Sequence, residues 1–275
     1  MRRALWALLL ISLAATVALA QTPAIATGGV LNGASFQKGL AVTPGSLISI
    51  FGTSLASRSA QADTIPLSTS LGGVSVQFVN GTQTVAAPML FVQPDDAAHN
   101  LTSQINLQVP WGIVPSGTSG TVNVIVTRDN VSSPPTPVNI APFSPGIFSS
   151  NGYAIAQNPD GSLAWPAGLI PGLVTHAAKA GDTIVVYATG LGAVDSAVAD
   201  GQNSLDKLRN TVTPPQVTVD GMPAMVVFSG LSPQFVGVNQ LNIVVPNVTP
   251  GDKLPIQIQL GGITSPSSVA IAVSQ

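Results

Sequence analysis

The stretch GSLISIFGTSL (residues 45–55) recurs as GDTIVVYATGL (residues 181–191), 136 residues later. A second pair, QINLQVP (residues 104–110) and QLNIVVP (residues 240–246), is separated by the same 136 residues. Two motifs held at one spacing indicate a duplicated unit. Solenoid repeats run about 20 to 50 residues, so a period this long is a whole domain with its own core. Within the second motif Ile105, Leu107 and Val109 fall on one face and Gln104, Asn106 and Gln108 on the other; Leu241, Ile243 and Val245 repeat the pattern. That period of two defines strands with one buried and one wet face, as an antiparallel sandwich requires.

The order continues outward from these motifs. Each QxN motif is followed by a Pro/Gly turn, an alternating strand (Val122, Val124, Val126; Ile256, Ile258, Leu260) and a closing Ser-Pro segment, NVSSP at residues 130–134 and GITSP at residues 262–266. Asn80-Gly81, Asp160-Gly161 and Asp220-Gly221 supply residues that tolerate positive φ and so link strands into hairpins. The chain has no Glu and is rich in Val, Ile, Thr, Gly and Pro, a composition poor in helix propensity. APFSPG (residues 141–146) reads as a stiff crossing segment, because each proline fixes φ and extends its predecessor. The expected division is therefore a first domain at residues 21–141 and a second at residues 142–275. The stretch GYAIAQNPDGSLAW (residues 152–165) reads as a hairpin turning at Asn158 to Gly161, laid on the second domain as a flap.

Residues 1–20 have the form of a signal peptide: Arg2 and Arg3, an apolar run, then Ala18-Leu19-Ala20 as the cleavage site. No second apolar run follows, so no membrane span is expected after cleavage. Loss of the two arginines leaves seven basic against eleven acidic residues, a formal charge of −4, and no basic footprint for nucleic acid. The absence of cysteine excludes disulfides, thiolate metal sites and a cysteine nucleophile.

Two resemblances follow from these residues. The PG turns, the strands ending in Val-Pro and the closing segments resemble immunoglobulin-like IPT/TIG domains. NGASF (residues 32–36), PGSLISIFGTSLA (44–56), PLSTSLGGVSV (66–76), INLQVPWG (105–112), PGIF (145–148) and YATGLG (187–192) resemble the Solibacter-type uncharacterised C-terminal domain family. Together they imply an all-β chain of two tandem immunoglobulin-like β-sandwich domains after a signal peptide, exported by a bacterium and carrying no catalytic motif of the family. PDDAAHN (residues 94–100) departs from the pattern as an insertion.

The candidates for chemistry are few. His99 and His176 are the only imidazoles, and no G-x-S-x-G elbow accompanies them, so a serine triad is disfavoured. Asp95 and Asp96 read as loop caps; Asp182, Asp195 and Asp200 could serve a hydrolase only by converging in space. Asp160, Asp195 and Asp200 lie in loops without a calcium-binding pattern. Gly190 to Gly192 lacks the third glycine and the helix of a phosphate loop. No metal or other cofactor is expected. Planar aromatics remain as binding platforms: Trp165 as the leading ligand candidate, Tyr153 on the facing arm, and Trp111 either as packing or as a contact. The expected function is a secreted, non-catalytic binding or structural module that recognises a protein, a glycan or an envelope surface. The alternatives are an assembly subunit that pairs through sheet edges and, third, an Asp-dependent hydrolase.

Overall fold

The computed structural model describes residues 21–266 and 268–275. The signal peptide inferred from residues 1–20 lies outside the described residues. In the first half the strands are β1 (Ala24–Asn32), β2 (Leu47–Thr53), β3 (Ala60–Gln61), β4 (Ser70–Leu71), β5 (Val74–Asn80), β6 (Gln83–Ala86), β7 (Met89–Gln93), β8 (Ser103–Gln108), β9 (Gly120–Arg128), β10 (Val131–Ser132) and β11 (Thr136–Ile140). They form one sheet in the order β1-β2-β8-β7-β3 and a second built on β9 and β5. In the second half follow β12 (Gly146–Ile147), β13 (Ser149–Ser150), β14 (Tyr153–Ala154), β15 (Ala156–Gln157), β16 (Ala178–Lys179), β17 (Thr183–Thr189), β18 (Gln216–Val219), β19 (Met222–Leu231), β20 (Asn239–Val244), β21 (Gly251–Leu260), β22 (Ile263–Thr264) and β23 (Ala270–Ser274). These twelve strands join in one continuous sheet whose main path is β12-β17-β20-β19-β18-β21-β23-β14-β13, and the molecule is an all-β protein of tandem immunoglobulin-like domains.

The two repeated motifs are the paired central strands of each half. Leu47 lies opposite Gln108 in β2 and β8, and Thr183 lies opposite Val244 in β17 and β20; adding 136 to the first pair gives the second. The bulge on the next strand recurs as well, between Met89 and Phe91 and between Val226 and Phe228. Ile48, Ile50, Ile105 and Leu107 are buried in one apolar cluster drawn from Val30 to Ile140, while Ile184, Val186, Leu241 and Ile243 sit in a second drawn from Ile147 to Val273. Each such side chain contributes about 1.5–3 kcal/mol on burial. On the wet faces Gln104 Nε2 donates to Asn106 Oδ1 at 2.7 Å and Gln240 Nε2 to Asn242 Oδ1 at 2.9 Å.

The closing segments repeat a polar device. The Val126 N–H donates to Ser133 Oγ at 3.0 Å, and the Ile258 N–H to Ser265 Oγ at 2.9 Å. In each case a hydroxyl occupies a rung next to a proline, where the ladder would otherwise leave a buried donor unpaired.

Residues 152–165 correct the expected flap. The turn at Asn158 forms, with Gly161 N–H donating to Asn158 O at 2.9 Å. Its arms, however, are woven into the second domain: β14 pairs with β23 and β15 pairs with β17. Ala154, Ala156, Ala164 and Trp165 are consequently buried. Short alanines let these arms reach β17 and β23, which lie toward opposite ends of that sheet.

Candidate functional site

Trp165 is the clearest correction. It is 1% exposed, and its indole Nε1 donates to Ala154 O at 2.6 Å. An indole so enclosed offers no face to a ligand; it is packed under the 152–165 segment, against Ala154 and Tyr153. Tyr153 is half-buried against it, with ring centroids 6.0 Å apart. Trp111 is half-buried in the joint between the domains. Its backbone N–H donates to Asp200 Oδ1 at 2.8 Å, and its ring covers Gly45, whose φ is +80°. A Cβ on Gly45 would overlap that ring.

The titratable groups take structural positions. Asp95 accepts from the Ser54 and Ser103 N–H groups, and Asp96 caps a single 3₁₀ turn, Ala97–His99, which gives the PDDAAHN insertion its conformation. Asp195 holds Asn210, and Asp200 holds Trp111. His176 Nε2 faces Asp160 Oδ2 at 2.9 Å and Nδ1 faces Ala177 O at 2.9 Å. Ser162 Oγ donates to the other oxygen of Asp160 at 2.7 Å. The imidazole thus has no hydroxyl to activate, and this is not the geometry of a nucleophile and base. The Ser162 hydroxyl, followed by His176, holds the Asp160 carboxyl well below the usual carboxylate range. The Ala177 carbonyl and then Asp160 push the His176 imidazole upward. Among the described residues no three acidic or imidazole groups gather to hold a metal ion.

A concave surface lies where the two halves meet, and the joint there is built from hydrogen bonds. Thr189 Oγ1, fully buried, accepts from Leu47 N–H at 2.9 Å and donates to Gly237 O at 2.7 Å. Gln108 Oε1 accepts from Gly201 N–H at 2.8 Å, and Leu67 N–H donates to Gly201 O at 2.9 Å. Asn32 Nδ2 donates to Ser144 O at 2.7 Å. Arg209, 5% exposed, steadies the loop that carries Asp200 and Gly201: its guanidinium binds both oxygens of Asp206 and the Ala197 carbonyl.

Beside this joint is a cleft of about 940 Å³. Leu47, Ile65, Leu67 and Leu90 line it from the first domain; Ile155, Tyr187, Leu205 and Phe235 line it from the second. Tyr187 and Phe235 meet edge to face at 6.2 Å, and the Tyr187 hydroxyl donates to Gln157 Oε1 at 3.2 Å. Phe235 is 52% exposed and Leu205 68%. Asp63, Thr64, Gln157, Asn203 and Gln234 supply the polar groups. Such a surface binds apolar groups and orients them with few polar contacts. Sequence reasoning passed over these residues, although two signals were present: Tyr187 stands on the wet face of its strand, and Phe235 is an aromatic in the polar SPQF loop.

Fold and cleft define the class, a two-domain immunoglobulin-like β-protein with a concavity at the domain junction. Among solved structures the chain is similar to the titin Ig tandem domains A164-A165, at 10% identity over 84% of this chain and 92% of that one, with a TM-score of 0.20. It is also similar to the C-terminal domain of the AgI/II polypeptide BspA of Streptococcus agalactiae, at 10% identity over 90% and 99%, with a TM-score of 0.20. No family model and no curated protein matches the sequence. Likenesses this distant carry no argument about function. Among the described residues no helix is long and apolar enough to cross a membrane.

Proposed function

We propose that this protein is an exported, non-catalytic recognition module that binds an apolar segment of a protein partner at the cell envelope. The apolar cleft at the domain junction carries this reading, because its lining is predominantly leucine, isoleucine, valine and phenylalanine, with Asp63, Thr64, Gln157, Asn203, Gln234 and the Tyr187 hydroxyl as its polar groups, and a glycan site would need a denser set of hydrogen-bonding partners. Export is supported by the signal-peptide form of residues 1–20. The hydrogen-bonded joint favours the reading, since a pre-organised cleft spends less of its binding energy on ordering.

The test is co-sedimentation of residues 21–275 with envelope fractions and with insoluble polysaccharide, repeated with Phe235→Asp and Leu205→Asp. Both side chains are exposed, so the variants are expected to fold. Protease-sensitive binding to envelope, weakened about tenfold or more by either variant, is the expected result. Binding to polysaccharide that both variants leave intact would overturn the proposal.

A further inference from the structure

The two domains share a bulged strand but finish its outer edge differently. On β7 the chain closes the edge itself. Ala60 and Gln61 pair with Val92 and Phe91, Ala62 N–H donates to Leu90 O, and Met89 N–H donates to Ser68 O. The shared register places Val226 and Phe228 of β19 where Met89 and Phe91 stand on β7. There the chain meets the edge only at its two ends: Thr211 N–H donates to Ser229 O at 2.9 Å, and Val217 lies opposite Ala224. Between these points run residues 212–216, which include Pro214 and Pro215. Prolines have no N–H to give a ladder. Among the described residues no strand pairs with residues 225–228 on this side.

The result is a groove of about 690 Å³ lined by Pro214, Pro215, Val226, Val227 and Phe228, with no charged residue in its lining. Natural edges are usually guarded by charge or covered by a neighbouring segment. Here the bulge at Val227, 53% exposed, is the sole such device on β19 between its two pinned ends.

The geometry points to this groove as a strand-addition site for a short, extended, uncharged segment of a partner protein with small or apolar side chains. The first domain carries the argument, because its equivalent edge is filled by such a segment, the small residues Ala60, Gln61 and Ala62. A second copy of β19 fits poorly. The opening is pinned at both ends and spans about 13 Å, four residues of a single strand. The groove shares no lining residue with the junction cleft, so this site stands apart from the function proposed above.

Amide exchange of residues 21–275, followed by NMR, tests it with the capped peptide acetyl-SAQA-amide, which is the covering sequence of residues 59–62 and carries no charge. Saturable slowing at residues 226–228 by about fivefold or more is expected, with residues 89–92 unchanged. Val227→Asp, at an exposed position, should weaken the effect about tenfold. Phe235→Asp should leave it intact, which separates this site from the cleft. No slowing, or the same slowing with a backbone N-methylated peptide that cannot form a ladder, would overturn the proposal.

Discussion

The loop after β2 and the loop after β17 occupy the same place in their domains, yet they treat the neighbouring strand differently. The first folds back on its own sheet and covers β7 with Ala60 and Gln61. The second reaches across to the other domain, where Asp200 holds Trp111 and Gly201 holds Gln108. Both loops touch the joint, where Leu67 N–H donates to Gly201 O, but only the first also finishes an edge; the second pins β19 at Ser229 and leaves residues 225–228 open. Duplication therefore preserved the strands, whose pairing is fixed by burial on one face, and freed the loops, which no periodic pattern constrains.

The comparison can be broken most severely at the enclosed indole of the second domain. Trp165→Ala should cost about 3–5 kcal/mol in urea unfolding, since it empties a fully enclosed volume and frees the Ala154 carbonyl. Trp111→Ala, at a half-buried position, should cost less. Equal losses would mean that Trp165 is not the packing element its burial implies.

Next in size is a matched pair of glycines, Gly45 and Gly181, which open the two copies of the repeat with φ of +80° and +91°. Gly181→Ala meets nothing within 4 Å and should cost about 1 kcal/mol for the left-handed backbone alone. Gly45→Ala must also displace the Trp111 ring, and about 3 kcal/mol is expected. Thermal or urea midpoints of the two variants decide the matter; a difference near zero would remove Trp111 from the joint.

Thr189→Val sharpens the comparison at the joint itself. It leaves the Leu47 N–H and the Gly237 carbonyl without their shared partner, at a cost of about 2 kcal/mol. Separation of one unfolding transition into two would accompany the loss, because the domains would no longer support each other.

The smallest expected effect is on pH. His176 is raised, so its contribution is complete below about pH 6.5, the ordinary value, and is lost as pH rises through the folded value. Asp160 is lowered, so its contribution is present above about pH 3.9 and is lost as pH falls. The 157–176 region should therefore be most protected from amide exchange in mildly acidic solution. Both side chains are largely exposed, which keeps the effect small. His176→Gln should flatten the alkaline side of the profile, and an unchanged profile would argue against the pair.

Much of the fold was legible in the chain. The spacing of 136 residues, the alternation around Ile105 and Leu241, and the Ser-Pro closings determined the strands, their buried faces and the duplication, because period and burial are local properties of a strand. The capping role of Asp96 was legible because a cap is a contact within its own turn, whereas Asp95 reaches the Ser54 N–H, 41 residues away, which no local pattern announces. Tertiary structure alone decided which aromatics are free. Trp165 looked available beside a hairpin turn, but alanines drew that hairpin onto β17 and β23 and closed over the ring. The cleft joins Ile65 to Phe235 and the β19 groove sets Pro214 against Val227, contacts between segments far apart or outside any repeat. Sequence periodicity places a residue on a face; only the packing of whole domains determines what that face meets.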